Sequence, residues 1–476
     1  MPSYAVVTFG CQMNVHDSAR MGEVLRGAGY VEAERPESAD VVLLNTCSVR
    51  EKAELKLRSE VGRIARWKRA RPSLVIGVTG CVAQQEGERL LSRVPAIDLV
   101  LGPDHLAELP ALLADIEQGA PPRVRTQFDL DAPRFLPAQP GALADRRPDP
   151  CAFVTVMKGC DERCSFCIVP YTRGPERYRP ASEIVGEVER LVAAGVREVT
   201  LLGQTVNSYR DPAGGGAGSA SEGEGEFACL LRAIAAKVPA LARLRYTSPH
   251  PRHLDAHLVR AHAELPVLAR HVHLPVQSGS DRVLKRMIRR YDSAEYRQRV
   301  AALRAAVPGI TLSTDVIVGF PGEAREDFEQ TVALVREIGF TGVFGFKFSR
   351  RPGTPAARLA ADVSEAEKGA RLEELLAAGE EFRQAWLASR VGHEETILVE
   401  GPGLGGGFTG RTERNEIVHL GCRDDPTGEL LRVRVLRAFR HSLEAEVVDP
   451  ARRAEPPRPK DPRPGAAPRA LPVLAG

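Results

Sequence analysis

Residues 153–167 read Phe-Val-Thr-Val-Met-Lys-Gly-Cys160-Asp-Glu-Arg-Cys164-Ser-Phe-Cys167. A short apolar run rich in β-branched residues predicts a strand over Phe153–Met157. A glycine follows it, then three cysteines at CxxxCxxC spacing. Three thiolates on one short loop can cap three corners of a cubane iron–sulfur cluster and leave the fourth iron open. A structural zinc site takes four closed ligands, and no nearby Cys or His completes a fourth here. The loop stands at the carboxyl end of its strand, where parallel β/α folds gather their chemistry.

Downstream, apolar runs predict five more strands, at Glu198–Leu202, Leu244–Thr247, His271–Leu274, Thr311–Val318 and Gly342–Phe348. Helical patterns lie between them, at 181–194, 227–237, 253–264, 281–306 and 323–337. Six β/α units are too few for a closed eight-stranded barrel, so the expectation is an open, partial (β/α)6 barrel. The connection 211–226 holds six Gly in 16 residues and reads as a flexible surface insertion.

Upstream, Tyr4–Phe9, Val41–Leu44 and Leu74–Val78 read as strands, with helical stretches at Asp17–Ala28 and Ala53–Ala70. That alternation implies a doubly wound parallel sheet. Each of these strands runs into a cysteine: Thr8-Phe9-Gly10-Cys11, Leu44-Asn45-Thr46-Cys47 and Val78-Thr79-Gly80-Cys81. Groups at the carboxyl ends of strands in an open α/β sheet face one crevice. Three thiols spaced 36 and 34 residues apart therefore have a route to one another. The alternative is three unrelated buried thiols. Cys151, Cys229 and Cys422 have no pattern around them and read as structural.

After a helix at about 364–389, Gly-separated runs at Thr396–Val399, Glu416–His419, Leu430–Leu436 and Ala445–Val448 fit a small antiparallel β-barrel. The fold class is thus α/β, with the chain divided into 1–118, a Pro-rich linker at 119–150, a barrel at 151–388, a small β-barrel at 389–450 and a disordered tail at 451–476. The 476 residues, 43% apolar and 27% charged, exclude a mainly disordered chain. No apolar run is long enough to span a membrane and no secretory signal is visible. Nine cysteines without an export signal point to a reducing compartment, hence a cytoplasmic protein. The net charge of +3 argues neither for nor against nucleic acid.

The CxxxCxxC loop after the first strand of a partial barrel resembles the radical S-adenosylmethionine (SAM) enzymes. The segments Thr8–Asn14, Asn45–Lys52, Gly80–Gln85, Val169–Gly174, His273–Asp281 and Asp315–Glu323 look like the methylthiotransferases of that superfamily. The Cys47 context, with Gly410-Arg-Thr412 and Asn415, is most similar to the tRNA-modifying branch. The resemblance implies two 4Fe-4S clusters, one generating a radical from SAM on Cys160, Cys164 and Cys167, and one carrying sulfur on Cys11, Cys47 and Cys81. It implies a methylthio group added to carbon 2 of isopentenyl-adenosine, next to the anticodon in a tRNA stem-loop. Homolytic hydrogen abstraction suits that reaction, because the target carbon has neither a leaving group nor an acidic proton. Such radical work belongs to the cofactor, while the protein positions and shields it.

Further SAM contacts are expected from Phe166 against the adenine, from Gly203, Gln204 and Asn207 near the methionine moiety, from Ser248, His273 and Gln277, and from backbone approach at Gly319 and Gly322. Apart from Phe166, each also reads as a turn glycine or a satisfied polar group. The C-terminal barrel resembles the RNA-binding TRAM domain, with Arg411, Arg432 and Arg434 as phosphate candidates. The basic segments 50–71 and 282–299 could also track phosphates. A reducing electron-transfer protein and a sulfur source are implied as partners, and the chain is expected to be a monomer. Two other readings remain: a methylthiotransferase for threonylcarbamoyl-adenosine or for a ribosomal-protein aspartate, and a non-catalytic iron–sulfur RNA-binding protein.

Overall fold

The computed structural model describes residues 1–48, 51–130, 135–138, 149–214, 225–360 and 362–453, without the side chains of 51–56 and 58. The centre of the Gly-rich insertion, 215–224, and the tail from 454 onward lie outside the described residues.

The N-terminal strands are β1 (Ser3–Phe9), β2 (Val31–Glu32), β3 (Val41–Thr46), β4 (Val75–Gly80), β5 (Leu99–Leu101) and β6 (Arg123–Arg125). They form one parallel sheet in the order β2-β1-β3-β4-β5-β6. Every residue of β3 and β4 is buried, as expected for a parallel sheet covered on both faces. One face packs Val42, Leu44, Ile76 and Val78 against Val61 and Ile64. The other packs Leu43 and Val75 against Met21 and Leu25 of the helix Gln12–Gly27 and Leu109 of the helix Leu109–Glu117. The doubly wound expectation is met. The stretch read as a linker, however, begins inside the sheet: Arg123–Arg125 pairs with Leu99–Leu101 as its edge strand. A three-residue strand is too short to show alternation in the sequence.

The central domain contains β7 (Cys151–Thr155), a small hairpin of β8 (Met157–Lys158) and β9 (Arg177–Tyr178), then β10 (Glu198–Leu202), β11 (Arg243–Tyr246), β12 (His271–His273), β13 (Thr311–Val318) and β14 (Gly342–Lys347). Two parallel three-stranded sheets, β7-β10-β11 and β12-β13-β14, join through a parallel bridge between Leu244 and Leu268. The result is a six-stranded open barrel. The single helix expected over 281–306 is two, Asp281–Arg286 and Ser293–Ala306. Between them Ile288 and Arg290 take positive φ, and Asp292 with Glu295 forms a capping box that restarts the helix.

The helix Glu365–Ser389, capped by Ser364, runs from the barrel to the third domain. There β15 (Glu394–Pro402), β16 (Phe408–Thr412), β17 (Ile417–Gly421), β18 (Leu430–Ala438) and β19 (Leu443–Val447) close a barrel in the order β15-β16-β17-β19-β18. The barrel is not wholly antiparallel, since β17 and β19 run parallel. Five strands in a ring cannot all alternate in direction, so closure requires one such pair.

The outer domains dock at opposite ends of the central one. The N-terminal domain meets the carboxyl end of β7, where His16 contacts Thr155 at 3.3 Å, Arg177 pairs with Asp104 at 2.6 Å and Arg173 with Asp17 at 2.7 Å. The small barrel meets the amino ends of the strands. Arg243 and Arg245, paired with Glu198, donate to the carbonyls of Arg411, Thr412 and Glu413, and Arg414 reaches the carbonyl of Gly309.

Candidate active site

The two thiol triads occupy the end of the central barrel that the N-terminal domain covers. The loop of the first triad is pinned by backbone and side-chain bonds. Cys160 N donates to Gly174 O at 3.1 Å, and Gly159 N donates to Gln204 Oε1 at 2.6 Å. Cys160 Sγ lies 2.9 Å from Thr205 Oγ1, and Arg289 Nη1 donates to Cys164 Sγ at 3.3 Å. Arg289 is buried and spends its other nitrogens on Tyr291 Oη and Pro275 O. Burial pushes the Cys160 thiol up to about 12 against the Thr205 hydrogen bond. Burial, then the charges of Cys164 and Cys160, push Cys167 up as well. Burial thus disfavours the thiolate at two of these crowded cysteines, and such a donor set needs cationic charge among them. An iron cluster supplies it, so the residues fit the group.

The second triad is built by the sheet. In the order β2-β1-β3, chain direction across the sheet reverses between β1 and β3, the switch point where such folds place ligands. Cys11 follows β1, Cys47 follows β3 and Cys81 follows β4. Cys11 caps the helix Gln12–Gly27, and Cys81 opens the helix Cys81–Glu86. Gly10, at φ +140°, allows the close approach: a Cβ there would lie 2.4 Å from Cys47 Cβ. Buried Asn14 and Asn45 brace the strand ends, with Asn14 Nδ2 donating to Asn45 Oδ1 at 2.9 Å and to Thr46 O at 3.1 Å. The hydrogen bond with Cys47 pulls the Cys11 thiol down to about 6 against burial, helped by the charge of Arg173. Arg173 Nε lies 3.4 Å from Cys81 Sγ. This donor set, with a buried guanidinium beside it, also fits a thiolate-held cluster.

The remaining expected residues fall around the first triad's end of the barrel, several with partners of their own. Phe166 packs with Phe320, Phe348 and Met287. Gln204 holds the cysteine loop through Gly159, and Asn207 is committed to both backbone groups of His250. Ser248 and Gln277 take φ of 60° and 71°, strained values for side-chain-bearing residues that mark positions held by tertiary contacts. His273 bonds Ser313 Oγ at 2.9 Å and lies 3.4 Å from Asp315. Cβ atoms at Gly203, Gly319 and Gly322 would meet Met157, Lys368 and Arg286, so these glycines also serve internal packing.

Thr205, Arg289 and the role of Arg173 were not visible beforehand, because each acts across 45, 125 or 92 residues of chain. A further cluster went unread: ligand atoms of Glu162, His250 and His253 lie within 4.8 Å of one another. His253 Nε2 sits 2.9 Å from Glu162 Oε1 and Arg252 lies at 3.5 Å, while burial and then Arg289 keep His250 neutral.

The basic segment 282–299 is largely spent internally. Arg282 pairs with Asp327, Arg286 reaches Pro321 O, Arg289 is buried on Cys164, Arg297 pairs with Glu337 and Arg299 reaches Pro251 O. Among the described side chains of 50–71, Arg63, Lys68 and Arg71 are engaged, on Glu60, Asp98 and Glu37 O. Arg411 pairs with Glu400 in the clamp between barrels. Arg432 and Arg434 remain exposed, both on Glu394.

Residues 3–102 match a family described as "Uncharacterized protein family UPF0004", 154–335 the radical SAM superfamily and 388–448 the TRAM domain. A solved radical SAM methyltransferase, TsrM from Kitasatospora setae with cobalamin and a [4Fe-4S] cluster bound, aligns over 75% of this chain and 77% of its own at a TM-score of 0.52 and 17% identity, a likeness of fold alone. A protein of Sorangium cellulosum (strain So ce56) named tRNA-2-methylthio-N(6)-dimethylallyladenosine synthase is 61% identical over 100% of this chain and 99% of its own. One of the same name from Bordetella petrii is 45% identical over 93% of this chain and 90% of its own. A parallel sheet with a thiol at three strand ends, a radical SAM barrel and a TRAM domain thus occur together in one chain, which belongs to the tRNA-2-methylthio-N(6)-dimethylallyladenosine synthase family of radical SAM enzymes.

Proposed function

We propose that the chain adds a methylthio group to carbon 2 of N6-isopentenyl-adenosine beside the tRNA anticodon. The observation that carries this reading is the meeting of two thiol triads at one end of the barrel, joined by Arg173 from the loop after Cys167. Cys160, Cys164 and Cys167 would hold a cubane with one open iron, and Cys11, Cys47 and Cys81 a second cluster. The first group, when bound, supplies the electron that cleaves the SAM sulfonium and so yields the radical that takes hydrogen from the base.

The chain's own residues do the rest. Gln204 and Gly174 keep the cysteine loop in one conformation. Thr205 and Arg289 direct polar hydrogens at two of its sulfurs. The N-terminal domain, seated on the end of β7, shields a reactive intermediate from water on that side. Phe166 and the backbone near Gly319 and Gly322 would meet the adenine, and Gly203, Gln204, Asn207, Ser248, His273 and Gln277 the rest of SAM. Redox and sulfur balance require an external reductant and a sulfur source. The TRAM domain match supports an RNA substrate.

The test uses anaerobically reconstituted, reduced protein with SAM and tRNA bearing isopentenyl-adenosine. Mass spectrometry should show a methylthio product, with 5′-deoxyadenosine formed in parallel. Deoxyadenosine without product would move the reading to another substrate; neither would remove the radical reading.

A further inference from the structure

Arg173 belongs to the barrel domain by sequence, six residues after Cys167, yet its guanidinium lies in the second thiol site. It ends the one-turn helix Val169–Thr172, which packs against the helix opened by Cys81. Its side chain is only 3% exposed. Nη2 donates to Asp17 at 2.7 Å, and Nε points at Cys81 Sγ at 3.4 Å. Nη1 is buried and has no partner among the described residues. A buried donor left without an acceptor is costly, so a third acceptor is expected on that side. Asp17 comes from the helix that Cys11 caps, so the ion pair ties the guanidinium to the thiols it faces.

We propose that Arg173 is a positioning residue for the sulfur-carrying centre, its free Nη1–H donating to a sulfur of the iron–sulfur group held by Cys11, Cys47 and Cys81. This rests on reading those cysteines as a second cluster site. A hydrogen bond and a positive charge at a cluster sulfur favour the more negative, reduced state and raise its potential. The planar fork serves Asp17, Cys81 and the third acceptor at once, which a lysine ammonium cannot do from one point.

The test uses the full chain with Cys160, Cys164 and Cys167 all changed to Ala, so that only the second group loads. Iron and sulfide per chain, the EPR spectrum of the reduced cluster and its midpoint potential are measured with Arg173 and with Arg173→Gln. Expected are unchanged iron, an altered spectrum and a more negative potential. Arg173→Gln in the complementary background, with Cys11, Cys47 and Cys81 changed to Ala, should leave the first cluster's spectrum as it was. An unaltered spectrum and potential of the second group at full iron content would overturn the inference. So would equal iron loss in both backgrounds, the mark of a folding role. Should the Gln variant lose only the second group, Arg173→Lys decides: iron regained with an altered spectrum supports the inference, and iron regained with the original spectrum overturns it. If the parent second-site background holds no cluster at all, the two-cluster reading fails before Arg173 is reached.

Discussion

The two thiol triads solve one problem in opposite ways. The first takes three cysteines from eight consecutive residues of one loop. The second takes one cysteine from each of three strand ends, spaced 36 and 34 positions apart. Each has a buried arginine on a sulfur, Arg289 on Cys164 and Arg173 on Cys81. Arg289 has every nitrogen satisfied within its own domain, whereas Arg173 crosses from the other domain, pairs with a carboxylate and leaves one nitrogen, Nη1, without a partner among the described residues. A loop-built site depends on local backbone, and a sheet-built site depends on the whole domain and its docking.

The largest expected effect separates the triads outright. Cys160→Ala should abolish both 5′-deoxyadenosine and methylthio product, while Cys11→Ala keeps deoxyadenosine and loses the product. Each should lower iron per reconstituted chain by about half, as two cubanes on separate thiols imply. Equal loss of deoxyadenosine in both variants would break the division of labour.

Next comes dependence on the sheet. Leu43 is fully buried against Met21 and Leu25, and Leu43→Ala should cost about 2–5 kcal/mol in denaturant unfolding. Iron should leave the second site at lower denaturant than the first. Simultaneous loss would show that the first site also leans on the N-terminal domain.

Acid provides a third contrast. Burial holds the His262 imidazole in the central barrel down at about 4 from an ordinary 6.5. The unfolded chain therefore takes up a proton that the folded one refuses. Stability is full above about pH 6.5 and falls by about 3 kcal/mol towards pH 4. Burial raises the Asp17 carboxyl, but Arg173 and His16 outweigh it and hold it at about 2. Its contribution of about 2 kcal/mol is present above about pH 3.8 and lost only as pH falls towards 2. Titration calorimetry or circular dichroism should find the barrel weakening first and the Arg173–Asp17 seam last. His262→Gln should flatten the upper window alone.

The smallest effect lies away from both triads. Arg432→Ala removes an exposed partner of Glu394, worth about 0–1 kcal/mol, so stability should barely change. If Arg432 meets phosphate, the slope of log affinity for tRNA against log salt should lessen by about 1. An unchanged slope would place the RNA on other residues.

Most of the fold could be read from the chain alone. Long runs such as Val41–Leu44 and Thr311–Val318 carry their strand signal in every residue, and the CxxxCxxC loop carries its own chemistry. What escaped were pieces whose structure is borrowed from elsewhere. Arg123–Arg125 is a strand only because Leu99–Leu101 offers it an edge. The break at Met287–Asp292 is where Arg289 turns inward to Cys164, a partner 125 residues away. Residues 282–299 looked like a phosphate track because counting charge cannot see Asp327, Glu337 or a buried thiol across the fold.

By itself, then, the sequence determined the elements, the first triad and the strand–cysteine–helix junctions of the second, since all of these are local patterns of side-chain type and spacing. Only the tertiary structure decided that Arg173 serves the triad of another domain, that the TRAM barrel clamps the far end of the strands, and that Arg411 is spent in that clamp. These depend on which surfaces meet. Burying a charge demands a partner from whatever segment packing brings near, and no spacing along the chain encodes that.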